Sequence, residues 1–375
     1  MAGIYIHIPF CSQACHYCDF HFSTSLKNKQ RIINAINKEL IMQKHYLKSQ
    51  LIQTIYFGGG TPSIIDSRSL ALIIETIQNN YKLTQNAEIT IEANPEDVGQ
   101  EKVLSWSKAG FNRVSLGVQS FRNQDLKYMN RIHNSEQAIQ AISLLQSSEI
   151  NNFNVDLIYG YPELDNIAWK KNLDKVIAFD IPHISCYCIT IEPKTPLYYF
   201  IKKGKYAKLN SEQGNSQFLI AREKLMSSGY EHYEISNFSK PGRASLHNNN
   251  YWNKTHYLGV GPSAHSFNGI SRQWNINNNS LYCEKIEHND CYYEIETLTT
   301  RDKINEYIMT QIRTSIGMDE KYFKQNMDDI SFNNFKIELS KLEAQKLLKI
   351  NGSSIMLTES GMLISDSISK NLFLI

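Results

Sequence analysis

The sequence predicts an α/β protein: a partial (β/α)6 TIM-type barrel followed by a small C-terminal winged-helix-like α+β domain. Three observations carry this. Six short, apolar, β-rich runs recur through the first half of the chain, with helix-like stretches between them. Each run ends in residues that carry chemistry or allow a close backbone approach. From about Leu298 the pattern changes to two helices and a hairpin. The expected division is 1–235 for the barrel, 236–297 for an extension holding the segment HNNNYW, and 298–375 for the C-terminal domain.

The six runs are Ile4–Ile8, Thr54–Phe57, Glu88–Glu92, Arg113–Val118, Asn154–Tyr159 and His183–Thr190. Helices are expected over Lys29–Leu47, Ser67–Asn79, Asp97–Ala109, Ser135–Ser147 and Ala168–Ala178. Asp66 stands at a plausible N-cap of the second, and Gly110 ends the third. Apolar runs joined by helices predict parallel strands buried on both faces. Six units suit a partial barrel better than a closed eight-unit one; an open doubly wound sheet is the alternative. In either, chemistry belongs at the C-terminal ends of the strands.

The first strand runs into Cys11, Cys15 and Cys18 in IHIPFCSQACHYCDF, a CxxxCxxC spacing. Three thiolates on one tight loop can each bind one iron of a 4Fe–4S cluster. No fourth cysteine lies nearby, so one iron is left open to an outside ligand. The amino and carboxylate groups of S-adenosylmethionine (SAM) suit that position. A structural zinc site is the rival reading, with His7, His16 and His21 at hand, but no second CxxC unit accompanies it. A disulfide framework is disfavoured, because the chain is long, has seven cysteines, and shows no secretory signal.

The other strand ends are also loaded. The second ends in Gly58, Gly59, Gly60, Thr61 and Pro62, the third in Glu92, Asn94 and Pro95, and the fourth in Gln119 and Ser120. The fifth contains Asp156 and ends at Gly160 and Pro162. The sixth carries Cys186, Tyr187 and Cys188, then Glu192 and Pro193. Each has a plainer explanation. A glycine triplet is often only a tight turn. Glu92 also reads as a solvated acid, Gln119 as a satisfied core amide, and Arg131 as a surface charge. Residue type alone assigns none of them.

Composition narrows the class. The chain of 375 residues is 42% hydrophobic and 20% charged, with net charge +2, which makes no case for nucleic acid or an anionic surface. No apolar run approaches the ~18 residues of a membrane span. Methionine leads almost directly into the first strand, leaving no room for a targeting peptide, and reduced cysteines suit the cytoplasm.

Taken together, YIHIPFCSQACHYCDF, YFGGGTPS, IEANPE, SLGVQSF, DLIYGYP, YEISNF, HNNNYW and YLGVGPSAHSF resemble the coproporphyrinogen dehydrogenase-like branch of the radical SAM proteins. These segments span roughly residues 1–275. The branch has two subgroups: oxygen-independent coproporphyrinogen III dehydrogenases and heme-binding chaperones. Dehydrogenases carry a further cysteine two places after the third, where this chain has Phe20. They also carry a long N-terminal extension before the first strand. HNxxYW is the heme-associated motif of the chaperones, and His247–Trp252 matches it. All three features favour the chaperone subgroup.

The resemblance implies roles. Tyr5 contacts SAM beside the cluster and Tyr17 flanks the adenine. Gly59, Gly60 and Thr61 match glycine-rich SAM contacts, and Glu92, Gln119, Arg131 and Asp156 match polar positions around SAM. His247 becomes the leading axial ligand to heme and Tyr251 a weaker one, since imidazole and phenol both ligate heme iron. The structural alternative is a histidine buried in a loop, with Asn248 as a turn former and the motif bracing the barrel's lower edge. His265 is a second histidine nearby. The implied partners are heme, a membrane-bound respiratory protein that accepts it, with peripheral membrane association at delivery, and a flavodoxin-type electron donor. Coproporphyrinogen oxidase activity is expected to be absent. The rival is the dehydrogenase, abstracting hydrogen from porphyrinogen propionates by SAM-derived radical chemistry.

In the C-terminal stretch, helices are expected over Asp302–Thr314 and Phe332–Lys346, then a hairpin turning at Asn351–Gly352. Such modules often bind DNA. Residues 301–375 hold ten Lys or Arg and ten Asp or Glu, which leaves no basic face for a phosphate backbone. Protein contact or closure over the barrel mouth is the expectation.

Overall fold

The computed structural model describes residues 1–374. Six parallel strands, β1 (Ala2–Ile8), β2 (Ile52–Gly59), β3 (Leu83–Ala93), β4 (Arg113–Gln119), β5 (Phe153–Tyr159) and β6 (His183–Cys188), stand side by side in chain order. A doubly wound sheet reverses its strand order at a switch point. None occurs among these six, so the arrangement is the partial barrel. The strands are apolar runs because helices cover their outer face; β4 is buried along its whole length.

The helices between them run Lys29–Met42, Ser67–Asn80, Gln100–Ala109, Ser135–Gln146 and Asn166–Ala178. The Asp66 carboxylate accepts the Ser69 N–H at 2.9 Å, which caps the second. Gly110 ends the third in the left-handed region at φ 100°. The third starts later than expected because Pro95–Asp97 forms a separate 3-10 turn. The sixth strand ends at Cys188 rather than Thr190.

The sheet does not stop at six strands. On the β6 side it gains β7 (Glu231–Glu234) and β8 (Asn237–Ser239), both antiparallel. On the β1 side, β9 (His256–Val260) pairs in parallel with β1, and β10 (His265–Phe267), β11 (Ser271–Asn275) and β12 (Tyr293–Thr297) follow antiparallel. The segment 236–297 therefore shares one twelve-stranded sheet with the barrel. Buried Glu39 ties it to the first helix: its carboxylate accepts the Gly261 N–H at 2.8 Å, the Asn275 amide at 2.7 Å and the Tyr282 hydroxyl at 2.5 Å.

HNNNYW lies on a short helix, Leu246–Trp252, and not in a loop. Ser245 caps it by accepting the Asn248 N–H. The Glu88 carboxylate accepts the Leu246 and His247 N–H groups at 3.1 and 3.0 Å. A carboxylate at a helix N-terminus is favoured by both hydrogen bonding and the dipole. The helix packs against the starts of β1 and β2, and a Cβ on Gly3 would lie 2.8 Å from Thr54 Oγ1 and 3.4 Å from the His247 ring. Glycine at that position is what lets the helix come so close.

The C-terminal domain has the order helix Thr300–Gln311, β13 (Met318–Asp319), helices Glu320–Asn326 and Asp329–Ala344, β14 (Leu348–Asn351) and β15 (Ser354–Leu357). Its sheet order β13-β15-β14 is the winged-helix arrangement. Ile304, Ile308, Phe323, Phe335, Leu339 and Ile355 give it a core of its own. The domain bridges the two outer flanks of the barrel sheet. On one, the Ile235 N–H donates to the Arg313 carbonyl and the Ser315 N–H to the Tyr233 carbonyl, both at 3.0 Å. On the other, Arg272 of β11 pairs with Glu306. Between them, Gln311 donates to the Trp252 carbonyl at the end of the HNNNYW helix. The cavity at the barrel mouth is lined by no residue beyond Glu192. Of the two expectations, protein contact or closure over the mouth, closure is not seen among the described residues; the domain docks against the two flanks of the sheet.

Candidate functional site

A cavity of about 450 Å³ opens at the C-terminal ends of the parallel strands. The cysteine loop after β1 forms one wall, contributing Tyr17, Cys18, Asp19 and Phe20. The loop is anchored by backbone bonds, Cys11 N–H to the Ser23 carbonyl at 3.1 Å and His16 N–H to the Met129 carbonyl at 3.1 Å. Burial pushes the Cys18 thiol up to about 12 and raises Cys11 as well, with the Thr61 hydroxyl bond and Arg131 opposing it at Cys11. A metal in place of the proton removes that cost, because a coordinating thiol is deprotonated.

Arg131 lies in the site rather than on the surface. One guanidinium nitrogen donates to Cys15 Sγ at 3.5 Å, and the other to the Asn94 side chain and the Gly117 carbonyl. Its Nε is buried without a partner. This cation is held beside the Cys15 thiol.

The remaining walls come from other strand ends. Gly59, Gly60, Thr61, Glu92, Gln119 and Asp156 all line the cavity. The Tyr56 hydroxyl donates to Glu92 at 2.8 Å, and burial still lifts the Glu92 carboxyl to about 7. Asp156 accepts from Asn154 at 2.7 Å and is raised by burial too. Gln119 sits at φ 65°, a conformation that costs a non-glycine residue about a kcal/mol or more. Its Oε1 is buried with no partner, so it is not the satisfied core amide of the plainer explanation.

The glycines act differently from expectation. A Cβ on Gly59 would lie 2.6 Å from the His7 ring, and one on Gly60 only 2.4 Å from the Phe10 carbonyl. The missing Gly60 side chain faces the backbone that leads to Cys11, not the cavity. Gly60 N–H donates to the Ile8 carbonyl at 2.8 Å and Thr61 N–H to the Phe10 carbonyl at 2.6 Å, which locks the two strand ends together.

Tyr5, His247 and Tyr251 lie deeper. They line a second cavity of about 210 Å³ inside the barrel, which shares Glu92, Ser115 and Tyr187 with the first. His247 is 2% exposed. Its Nδ1 meets the Thr54 hydroxyl at 2.8 Å and its Nε2 the Tyr251 hydroxyl at 3.1 Å. Burial, then the nearby Arg113, pull its pKa down to about 3, so the ring is neutral. Both ring nitrogens are hydrogen-bonded within the protein in this arrangement. The Asn250 amide also donates to the Thr54 hydroxyl, which ties the short helix to β2.

Sequence reasoning passed over Tyr56, Arg113, Asn154, His183 and Ser185, which line this inner cavity. The signal was present as period two. Arg113 and Ser115, Asn154 and Asp156, His183 and Ser185 alternate with apolar residues along their strands, and alternate residues share one face. Cys186 is buried, whereas Cys188 is exposed at the cavity rim.

Among the described residues, no three His, Cys, Asp or Glu side chains lie close enough to hold a single metal ion. A zinc site needs four ligands drawn to one centre about 2.0–2.3 Å away. A cluster needs thiols spread apart, each to its own iron. Three thiols on one loop, with no fourth, suit a cluster that keeps one iron open.

The chain matches the radical SAM superfamily model over residues 5–176 and the HemN C-terminal domain model over residues 298–364. It is 30% identical over 371 residues to the heme chaperone HemW of Bacillus subtilis, covering 98% of both chains. It is 33% identical over 382 residues to heme chaperone HemW of Buchnera aphidicola subsp. Schizaphis graminum, covering 98% of this chain and 97% of that one. The chain belongs to the HemW family. Its fold is also that of coproporphyrinogen III oxidase (HemN) of Escherichia coli, with a TM-score of 0.85 over 99% of this chain and 90% of that one, at 21% identity. For this HemW-family chain, the winged-helix domain is the region of the HemN C-terminal match, and the cysteine loop and glycine-rich strand end fall within the radical SAM match. Among the described residues, no helix is long and apolar enough to cross a membrane.

Proposed function

We propose that the protein is a heme chaperone that holds a 4Fe–4S cluster through Cys11, Cys15 and Cys18, binds SAM in the mouth cavity, and passes heme to a respiratory acceptor. The observation that carries the reading is the likeness, over 98% of the chain, to two proteins named heme chaperones.

The residues of the mouth suit their parts. Three thiols and no fourth leave one iron free for the amino and carboxylate groups of SAM. Glu92, with its carboxyl at about 7, accepts a hydrogen bond from a ribose hydroxyl or an ammonium group. Gln119 Oε1 and Arg131 Nε, both buried and unpartnered, offer an acceptor and a donor to the same ligand. Asp156 supplies a further acceptor, and Tyr17 a flat aromatic surface for the adenine. A bound cluster supplies an electron and an open coordination position; the chain's own groups bind, orient and shield the ligand. Phe20 stands on the cavity wall where the dehydrogenases place a further cysteine.

The test is anaerobic. Protein reconstituted with iron and sulfide is expected to hold about four irons per chain, to bind SAM and heme, and to leave coproporphyrinogen III unchanged in the presence of SAM and reductant. Conversion to protoporphyrinogen moves the assignment to the dehydrogenase. Stoichiometric zinc with no iron removes the cluster from the proposal.

A further inference from the structure

The segment that follows β6 carries a run of one charge. Between Glu192 and Glu212 stand Lys194, Lys202, Lys203, Lys205 and Lys208, with no Asp or Glu among them. The whole chain carries only +2, so the run is a local departure. All five lysines are exposed, and among the described residues none forms an ion pair. None of them lines the mouth cavity, so the ligand proposed there does not account for them. A run of like charge is often only a solvated face. What sets this one apart is the place where it is fastened.

His16 stands between Cys15 and Cys18, inside the cysteine loop. Its carbonyl accepts the Leu197 N–H at 2.8 Å, at the start of the short helix Pro196–Lys202. Its ring meets the Phe200 ring edge-on, 4.9 Å between centres, and its Nδ1 meets the Tyr128 carbonyl at 2.7 Å. Tyr206 stacks on Tyr128 at 4.5 Å, and the Lys205 ammonium lies 4.2 Å from the centre of the Phe200 ring. One aromatic layer thus separates the lysines from the cysteine loop. The one acid whose charge reaches this layer is Glu163, which acts on the Tyr206 hydroxyl. Tyr199, 47% exposed, stands among the lysines and has the amphipathic ring that protein interfaces favour.

We propose that the Lys194–Lys208 face is the docking surface for an acidic electron-carrier protein, which passes one electron inward past Phe200 and His16. The carrier is oxidised by one electron and the cluster reduced by one, with no bond made or broken at the cysteine loop. This rests on the cluster of the reading above and names the face by which it is refilled. Complementary charge steers such a carrier to the surface and raises its encounter rate. An anionic lipid surface would also be drawn to lysines, but it has no use for a segment bonded to the backbone between two cluster cysteines.

The test uses the full-length, anaerobically reconstituted protein and a reduced flavodoxin as the acidic carrier. Binding is measured at low and high salt, and cluster reduction is followed by absorbance. A triple reversal, Lys202→Glu, Lys203→Glu and Lys205→Glu, is compared with an equal change of charge at exposed lysines of the C-terminal domain, Lys324→Glu, Lys346→Glu and Lys349→Glu. The first is expected to lower flavodoxin affinity and reduction rate at least about tenfold at low salt, and to flatten the salt dependence seen in wild type. Reduction by dithionite, a small reductant that needs no docking, should be unchanged. The second triple is expected to behave as wild type. Unchanged flavodoxin binding in the first triple overturns the proposal, as does an equal loss in the second or a matching loss with dithionite. So does loss of binding to anionic phospholipid vesicles with flavodoxin unaffected, which assigns the face to a membrane. Wild-type protein that takes up no iron overturns the cluster reading itself.

Discussion

Gly60 shows how much a single hydrogen atom can decide. Its absent Cβ would sit 2.4 Å from the Phe10 carbonyl, closer than any real contact, and the atom it meets is backbone that cannot swing aside. Gly60→Ala is therefore expected to displace the turn into Cys11. Both iron content and SAM affinity should fall, measured by iron assay and equilibrium binding. Gly110 makes the opposite case: it ends a helix at φ 100°, and nothing lies within 4 Å of its Cβ position. Gly110→Ala should cost only backbone strain, about 1 kcal/mol in denaturant unfolding, with iron and SAM binding unchanged. Each of Cys11→Ala, Cys15→Ala and Cys18→Ala is expected to abolish the cluster, since three ligands leave none spare. The cysteine spacing was fully legible in the sequence. The use of Gly60 was not, because the direction of a missing side chain depends on how two strand ends meet in space.

At the scale of the element, Glu39 on the first helix is the telling residue. It is fully buried and accepts from three groups of the β9–β12 segment and the helix that follows β11. Glu39→Ala would leave those donors unpaired, so a loss of about 2–4 kcal/mol is expected from unfolding curves. Burial lifts its carboxyl to about 7, against the ~4.3 of an exposed glutamate. The folded state thus holds more protons than the unfolded one between those values. Stability is fully present below about pH 4, falls as pH rises toward 7, and levels above that. Glu39→Gln should lack this slope, which melting curves across pH 4–8 would reveal. Strands and long helices were legible here because their periodicity is strong. The Leu246–Trp252 helix was not. Seven residues with three successive asparagines have little intrinsic helix preference. The helix forms because Glu88, more than 150 residues earlier in the chain, accepts its first N–H groups.

At the scale of the molecule, the winged-helix domain holds the two flanks of the sheet together through Arg272–Glu306 and the strand-like bonds around Ile235 and Ser315. Lys254 reinforces this, with its ammonium 4.8 Å from the Tyr307 ring and 2.9 Å from the Lys303 carbonyl. Glu306→Arg would set two guanidinium groups against each other at a half-buried contact. Easier proteolytic release of residues from about 298 onward is expected, with the mouth cavity still binding SAM. Equal protease resistance in the variant would show that the ion pair contributes nothing to docking. The hairpin and balanced charge of this domain were legible; its placement was not, because docking depends on side chains scattered over four distant segments.

The parallel pairing of β1 with β9 sets an order in time. Ala2 lies opposite His256, and Ile6 opposite Val260. A ribosome adding about 5–20 residues per second needs some tens of seconds between making the one strand and the other. For that interval the nascent chain carries a nearly all-apolar strand with one unpaired edge, and an unpaired edge invites foreign strands. Newly made protein is therefore most vulnerable to aggregation before residue 260 emerges, and chains truncated short of it should be insoluble where chains that include it are not.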